Sequence, residues 1–549
     1  MDEPSEVHAR IIAGEARAAI RAGGRLSLAA AIGLAALSLV LKAALLGAQG
    51  FPFNADEAVV GLMARHILGG ARPVFFYGQA YMGSLDAFLT AGSFLLFGEQ
   101  VLSMRVVQAL LYAATTASTV LLASRLLRSR IGLLSAGLLM AIPAVNVTLY
   151  TTVTLGGYGE ALLIGNLLLL LALRIHDRPE SGWPYLVTGF LAGLGFWGFG
   201  LILVYILPAA VLIGATLVRR LAGRAAIVRG LAVLLAAGLG AAPWLWQAVR
   251  GGLAESLREL GGSAIAGAST GGLWSVLGSH LTNLVLFGST VVIGMRPPWG
   301  IRWLGTPSWP LVLVFWGLTG AFLLGRLRAR QAGWWLLSGV IAAVLFGFVC
   351  TPFGADPSGR YFLPLAAPMA LCAGGMLEHL PSRRAGAWGI GLLAVVLGFH
   401  LWGTIDSARR NPPGLTTQFD PVTWIDQSRT EALMRFLEEA GEDRGFTNYW
   451  TAYPLAFLSQ ERLIFIPRLP YHLDFRYTAR DDRYAPYGEQ VAASERVAYI
   501  TTNHPALDAR LQAGLSAAGI SYQETWIGDY HVFYDLSRRV EPESLGLGP

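Results

Sequence analysis

Long apolar runs joined by short, arginine-bearing connections occupy the chain as far as residue 405, and the pattern then changes character. A helix needs about 20 mainly apolar residues to cross a bilayer core. On that measure the runs at 26–47, 103–125, 131–149, 157–174, 184–199, 201–218, 227–248, 309–326, 333–352, 361–380 and 386–405 predict eleven spans. Two of these, 184–199 and 201–218, are short, and Gly198-Phe199-Gly200 predicts the turn between them. Beyond 406 the periodicity alternates. Helical patterns at Thr430–Ala440, Tyr453–Ser459 and Pro505–Ala518 interleave with strand-like runs at Gly445–Tyr449, Leu463–Ile466, Val497–Thr501, Tyr522–Trp526 and His531–Tyr534. That alternation predicts a small α/β domain.

Arginine placement orients the spans. Arg125, Arg128, Arg130, Arg174, Arg178, Arg219, Arg220, Arg224, Arg326, Arg328, Arg330, Arg383 and Arg384 all fall in short loops on one side, which the positive-inside rule makes cytoplasmic. The opposite side receives the long loops 48–102 and 249–308 and everything after 406. The predicted organisation is therefore a cytoplasmic segment, 1–25, a transmembrane module, 26–405, and an external α/β domain, 406–549. The N-terminal run is read as an uncleaved first span. Ahead of it Arg10, Arg17, Arg21 and Arg25 share about one helical face, suiting an amphipathic helix on an anionic leaflet. Gly251–Gly272, rich in Gly, Ser and Ala, predicts a mobile external segment.

Composition agrees: only 14% of residues are charged and 54% are hydrophobic, against about 25% charged in soluble domains. The net charge of +6 is carried almost wholly by arginine, and in a membrane protein it marks loops rather than a nucleic-acid partner. The only lysine, Lys42, lies near the external end of the first span. Cys350 and Cys372 both fall in apolar runs and imply neither a disulfide framework nor a metal site.

The first external loop carries the chemistry. In Asn54–Gly61, NADEAVVG, Asn54 and Glu57 have the spacing of a capping box, predicting a helix over about Ala55–Leu68 stopped by Gly69-Gly70. Its apolar residues share a face, as in a helix lying on the membrane surface. Two acids at a helix N-terminus also simply complement its dipole. Glu57 fits that reading better than Asp56, whose side chain the box does not use. Val74–Asp86, VFFYGQAYMGSLD, adds Tyr77, Gln79, Tyr81 and Asp86. Tyrosines form interfacial belts, whereas Gln79 and Asp86 are costly at a bilayer and point to a binding site.

This loop, with Phe97-Gly98 and Met104-Arg105-Val106 after it and Ser358-Gly359-Arg360-Tyr361-Phe362-Leu363-Pro364 before a late span, resembles glycosyltransferase family 39. That group includes the protein O-mannosyltransferases and the lipid A aminoarabinose transferases. The resemblance implies the C-type glycosyltransferase fold: a polytopic α-helical membrane protein of about 11 transmembrane helices, with external surface helices and a C-terminal soluble α/β domain. It also implies transfer of a monosaccharide from a polyprenyl-phosphate carrier to a lipid, glycan or protein acceptor on the external face of a bacterial inner membrane, with inversion.

Such chemistry needs a base for the acceptor hydroxyl, cations for the departing phosphate and an apolar groove for the prenyl tail. The resemblance makes Asp56 the base, with Glu57 beside it as a second catalytic carboxylate tuning it or binding sugar. Arg105 and Arg360 are the expected phosphate contacts, with Tyr361 and Lys42 beside them. Tyr77, Gln79, Tyr81, Asp86 and His280 are expected toward sugar or acceptor, and Asn448-Tyr449-Trp450 and Tyr453 are candidate contacts from the C-terminal domain. The loop reads Ala-Asp-Glu-Ala rather than Asp-x-Asp, so no cofactor and no essential divalent ion is expected, although Glu57 and Asp86 could join Asp56 around one. The competing reading is a lipid or solute transporter or flippase, which would also use intramembrane charge. No internal repeat of the kind common in transporters is present.

Overall fold

The computed structural model describes residues 4–260, 272–328, 331–478 and 480–548, the side chains of 4–23 and 260 excepted. The expected amphipathic face of Arg10, Arg17 and Arg21, and residues 261–271 of Gly251–Gly272, lie outside that description. The chain opens with α1 (Pro4–Gly47), α2 (Ala55–Leu68), the short pair β1 (Phe75–Phe76) and β2 (Gln79–Gly83), α3 (Leu85–Phe97) and α4 (Val101–Leu126). Then follow α5 (Arg130–Ala141), α6 (Val145–Tyr150), α7 (Tyr158–Asp177), α8 (Trp183–Gly198), α9 (Leu203–Arg220), α10 (Gly223–Gly240), α11 (Ala242–Gly251) and α12 (Leu253–Leu260). The bundle closes with α13 (Leu273–Val292), α14 (Trp309–Leu327), α15 (Ala332–Cys350), α16 (Ala366–Glu378) and α17 (Arg383–Arg409).

Ten helices among the described residues are long and apolar enough to cross a membrane. Two details differ from the sequence expectation and one agrees with it. The run 131–149 is not one helix: α5 ends at Ala141 and α6 restarts at Val145, because Pro143 lacks an N–H and disfavours helical backbone before it. The turn at Gly198-Phe199-Gly200 forms as expected, with Phe199 extended. The short α8 is held against α10 where Gly193 faces the Ala237 carbonyl, so that any side chain there would overlap backbone. Finally, α13 is long enough to span, yet His280, Asn283 and Val291 on it reach the last turn of α15 and the connection that follows it. His280 Nδ1 bonds the Val349 carbonyl (2.9 Å) and Asn283 Nδ2 donates to the Gly354 carbonyl (2.9 Å). Val291 abuts Gly359. The helix thus lies along the end of the bundle where α15 finishes.

The C-terminal part contains α18 (Thr430–Ala440), β3 (Arg444–Thr447), α19 (Tyr449–Leu458), β4 (Ile464–Pro467), α20 (Ala485–Ala492), β5 (Ala498–Thr502), α21 (Pro505–Ala517), β6 (Gln523–Ile527) and β7 (Tyr530–Tyr534). The sheet runs β4-β3-β5-β7-β6, parallel across β4, β3 and β5 and antiparallel thereafter. Strand β3 stops one residue before Asn448, whose side chain accepts from the Thr451 N–H and caps α19. This places Tyr449 and Trp450 in the first turn of a helix.

Helix α19 covers α2. Gly61 faces the Phe457 ring so closely that a Cβ would stand 2.6 Å from it. Val59, Val60, Leu62 and Met63 are all buried, each contributing about 1.5–3 kcal/mol. The expected membrane-surface helix is therefore an interior one, because a second domain packs on the face that its sequence leaves weakly polar.

Candidate active site

Asp56 and Glu57 are neighbours about 100° apart on α2 and so face different surroundings. Asn54 Oδ1 accepts from the Glu57 N–H (3.0 Å), which starts the helix. The Glu57 carboxylate, fully buried, is gripped from both sides by Arg105: Nε to Oε1 at 2.9 Å and Nη2 to Oε2 at 2.7 Å. Arg105 also donates to the Phe51 and Pro52 carbonyls. Neither residue reaches the cavity, so the catalytic place expected of Glu57 and the phosphate contact expected of Arg105 give way to an internal ion pair that holds the loop.

Asp56 instead lines a cavity of about 420 Å³ between the helix bundle and the C-terminal domain. Tyr449 donates to Asp56 Oδ1 at 2.5 Å. Burial and the Asp56 carboxylate hold the Tyr449 phenol well above its ordinary pKa against the opposing Arg483, so the phenol keeps its proton. Three arginines line the same space; Arg476 is exposed and paired with Asp474, whereas Arg360 and Arg483 are largely buried. Arg360 is aimed by Asp356, whose Oδ2 accepts from Nε at 2.5 Å, and its terminal nitrogens make no hydrogen bond among the described residues. Arg483 lies over the Tyr449 ring, 5.2 Å from its centre. With the Gln79 amide oriented to satisfy both its groups, its oxygen accepts from Arg483 Nη2 (2.8 Å) and its nitrogen donates to the Tyr81 hydroxyl (3.2 Å). Thr417, Asp420, His472 and Thr478 add to the polar lining, as does Asp481. Burial raises the Asp481 carboxyl to about pKa 7; Arg483 opposes that shift and Asp56 adds to it. Aromatic rings of Tyr150, Tyr158, Trp450 and Tyr471 supply flat walls.

Of the remaining expected residues, Gln79, Tyr81 and Arg360 meet at the cavity and five do not. Lys42 is buried elsewhere, donating to the Thr151 carbonyl (2.8 Å), Thr151 Oγ1 (2.9 Å) and Thr152 Oγ1 (2.6 Å). All three of its protons are thus engaged at the C-terminus of α6, where a cation is favoured. Tyr77 stacks on Tyr484 and bonds His66 Nδ1 (3.0 Å) at the domain seam. His280 fastens α13 as described above. Tyr361 packs on Phe353 behind Arg360.

Asp86 lies just beneath the cavity floor. Its Oδ1 accepts from Gln108 Nε2 (2.9 Å) and its Oδ2 from the Gly156 N–H (3.0 Å). Gly156 and Gly157 both have positive φ, +79° and +81°, and they carry Leu155 and Tyr158 to the cavity wall. The Glu160 carboxyl faces that of Asp86 and has no other partner among the described residues. Two carboxyls this close repel each other when both are ionised. An asymmetry follows. Glu160→Gln offers Asp86 an amide N–H in place of a second carboxyl, removes that repulsion, and leaves stability and activity near wild type. Asp86→Asn presents N–H groups to donors, costs about 1–3 kcal/mol for the group left without an acceptor, and lowers activity at least about tenfold by misplacing Tyr158. Thermal unfolding and a turnover assay on both variants check this, and equal behaviour of the two would refute it.

Sequence reading did not single out Arg483, Asp481, Tyr150 or Tyr158. The stretch Phe475–Tyr484, FRYTARDDRY, is dense in arginine and tyrosine, and that was the available signal. Tyr453 belongs to this arrangement indirectly, because its hydroxyl accepts from the Arg483 N–H (2.5 Å) and pins the segment.

Residues 84–246 match the sequence model of the dolichyl-phosphate-mannose-protein mannosyltransferase family. Comparison with curated proteins gives no match. Among solved structures, ArnT from Cupriavidus metallidurans bound to undecaprenyl phosphate is similar with a TM-score of 0.55 at 14% identity, over 92% of this chain and 97% of that one. Its apo state gives 0.57 at 14% identity, over 91% and 96%. The Archaeoglobus fulgidus oligosaccharyltransferase in complex with Zn and sulfate gives 0.50 at 13% identity, over 91% of this chain and 72% of that one. The family-39 resemblance read from the first loop is thereby borne out: residues 84–246 carry the mannosyltransferase family's sequence pattern, and the chain as a whole has the C-type glycosyltransferase fold.

Proposed function

We infer that this protein is a membrane glycosyltransferase that moves a monosaccharide from a polyprenyl-phosphate carrier to a lipid, glycan or protein acceptor, with inversion. The observation that carries this reading is the convergence of one tyrosine-oriented carboxylate, Asp56, and two guanidinium groups, Arg360 and Arg483, on a single cavity. Asp56 takes the acceptor hydroxyl's proton as its oxygen attacks the anomeric carbon. Arg360 and Arg483 balance the charge gathering on the departing lipid phosphate. Aromatic walls suit the faces of a sugar ring. In this reading the two arginines serve the monophosphate without a divalent ion. The similarity to a structure holding undecaprenyl phosphate supports a carrier of that chemistry. The arginine-rich loops at the far end of the bundle support a cavity facing the periplasm.

The test is release of free polyprenyl phosphate from a panel of radiolabelled polyprenyl-phosphate sugars by the purified protein, with a mixed lipid and glycan acceptor fraction and EDTA present. Release from at least one donor is expected, lowered about 10²–10³-fold in Arg483→Gln. A donor translocated between leaflets of a vesicle with its sugar still attached would establish the transporter instead.

A further inference from the structure

Far from the catalytic cavity, at the arginine-rich end of the bundle, a groove of about 720 Å³ opens sideways between α9 and α15. The two helices touch where Gly339 meets Pro208; a Cβ at Gly339 would stand 2.7 Å from that of Pro208. From there the lining runs along α9 from Leu207 to Arg220 and along α15 from Ala343 back to Ala332. Thirteen residues of helix amount to about 20 Å, somewhat more than the ~15 Å of hydrocarbon in one leaflet. Leu207, Val211 and Trp335 are exposed along it, so the groove faces lipid.

Its mouth is cationic and lacks an acidic partner. Arg219 makes no hydrogen bond or ion pair among the described residues. Arg220 donates to the His176 carbonyl (2.7 Å) and approaches His176 Nε2 (3.4 Å). Thr216 Oγ1 donates to the Leu212 carbonyl and therefore accepts from His176 Nδ1–H, which leaves Nε2 as the acceptor for Arg220. His176 is thus a neutral strut that holds one guanidinium at the rim. The nearest acid in sequence, Asp177, is turned to Arg125.

We propose that this groove is a binding site for one anionic glycerophospholipid of the leaflet at that end, its acyl chain lying between α9 and α15 and its phosphodiester held by Arg219 and Arg220. Charge complementarity selects this occupant. A zwitterionic lipid would place its own cation beside two guanidiniums, and a transmembrane helix of a partner would leave both unneutralised in a place where arginine prefers phosphate. The site is independent of the transferase reading and stands even if that reading fails.

The test uses the full-length chain, delipidated in detergent, with native mass spectrometry counting bound lipid as phosphatidylglycerol or phosphatidylcholine is added. One phosphatidylglycerol per chain is expected in preference to phosphatidylcholine. Arg219→Gln/Arg220→Gln should weaken it about thirtyfold, at about fivefold per guanidinium, and the double lysine variant should stay within about fivefold of wild type. Ala343→Phe, which fills the groove, should abolish it. If the double glutamine variant does not fold, Arg219→Gln alone, a side chain with no internal partner, carries the test at about fivefold. Equal retention of both lipids, or no effect of any arginine variant, overturns the proposal. So does displacement of the lipid by millimolar inorganic phosphate, which marks a free-anion site, or a wild-type dimer that Ala343→Phe dissociates.

Discussion

Asp56→Asn should abolish release of polyprenyl phosphate, by about 10²–10⁴-fold, while leaving the fold and donor binding intact. The substitution isolates one function. Helix α2 is started by Asn54, whose side chain accepts from the Glu57 N–H, and Asp56 takes no part in that cap. Asparagine is itself well suited to helix N-termini, so at most the dipole term of about 0.3–1 kcal/mol is lost. The amide oxygen can still accept from Tyr449. What disappears is the lone pair basic enough to take a proton from an attacking hydroxyl. The measurement is release from the donor identified by the panel, together with thermal unfolding and donor titration on the same preparations. Activity above about a tenth of wild type would remove Asp56 as the base and direct attention to Asp481, the cavity carboxyl held near pKa 7.

Glu57→Gln should behave in the opposite way. The carboxylate and Arg105 are buried together and bonded at two points, and removing one charge strands the other away from water. Breaking such a pair costs about 3–5 kcal/mol. The loss should appear as a lowered unfolding temperature and less folded protein, whereas turnover per folded molecule changes little, because neither side chain touches the cavity. Glu57→Gln/Arg105→Met, which removes both charges at similar volume, should recover most of the stability, since the desolvation of both ions goes with them. A single variant as stable as wild type, or a double variant worse than the single, contradicts the assignment. The two adjacent acids would then have separated cleanly into one residue of chemistry and one of architecture.

That separation was only half legible in the sequence. The capping spacing from Asn54 to Glu57 suits Glu57 to a structural role better than Asp56, yet the family resemblance, which makes Asp56 the base, keeps Glu57 beside it as a second catalytic carboxylate. The counter-ion of Glu57, Arg105, lies 48 positions away, and because a linear pattern carries no distances the sequence points it at phosphate instead. Lys42 departs from the expectation for a similar reason: its depth in the first span is readable, whereas the three oxygens around it belong to Thr151 and Thr152, just past the C-terminus of α6. The separate break between α5 and α6 is marked by Pro143, although hydropathy alone runs straight through it.

By itself the sequence determined the apolar spans, the sidedness set by arginine, the alternating C-terminal domain and the helix that begins at Asn54. All of these are local properties, written in periodicity, charge and capping within a few residues. Only the tertiary structure decided that the C-terminal domain forms most of the cavity wall. Tyr449 reaches Asp56 and Arg483 reaches Gln79 because α19 docks on α2 at Gly61. Residues some 390 positions apart meet there, and nothing in the local chemistry of either segment names its partner.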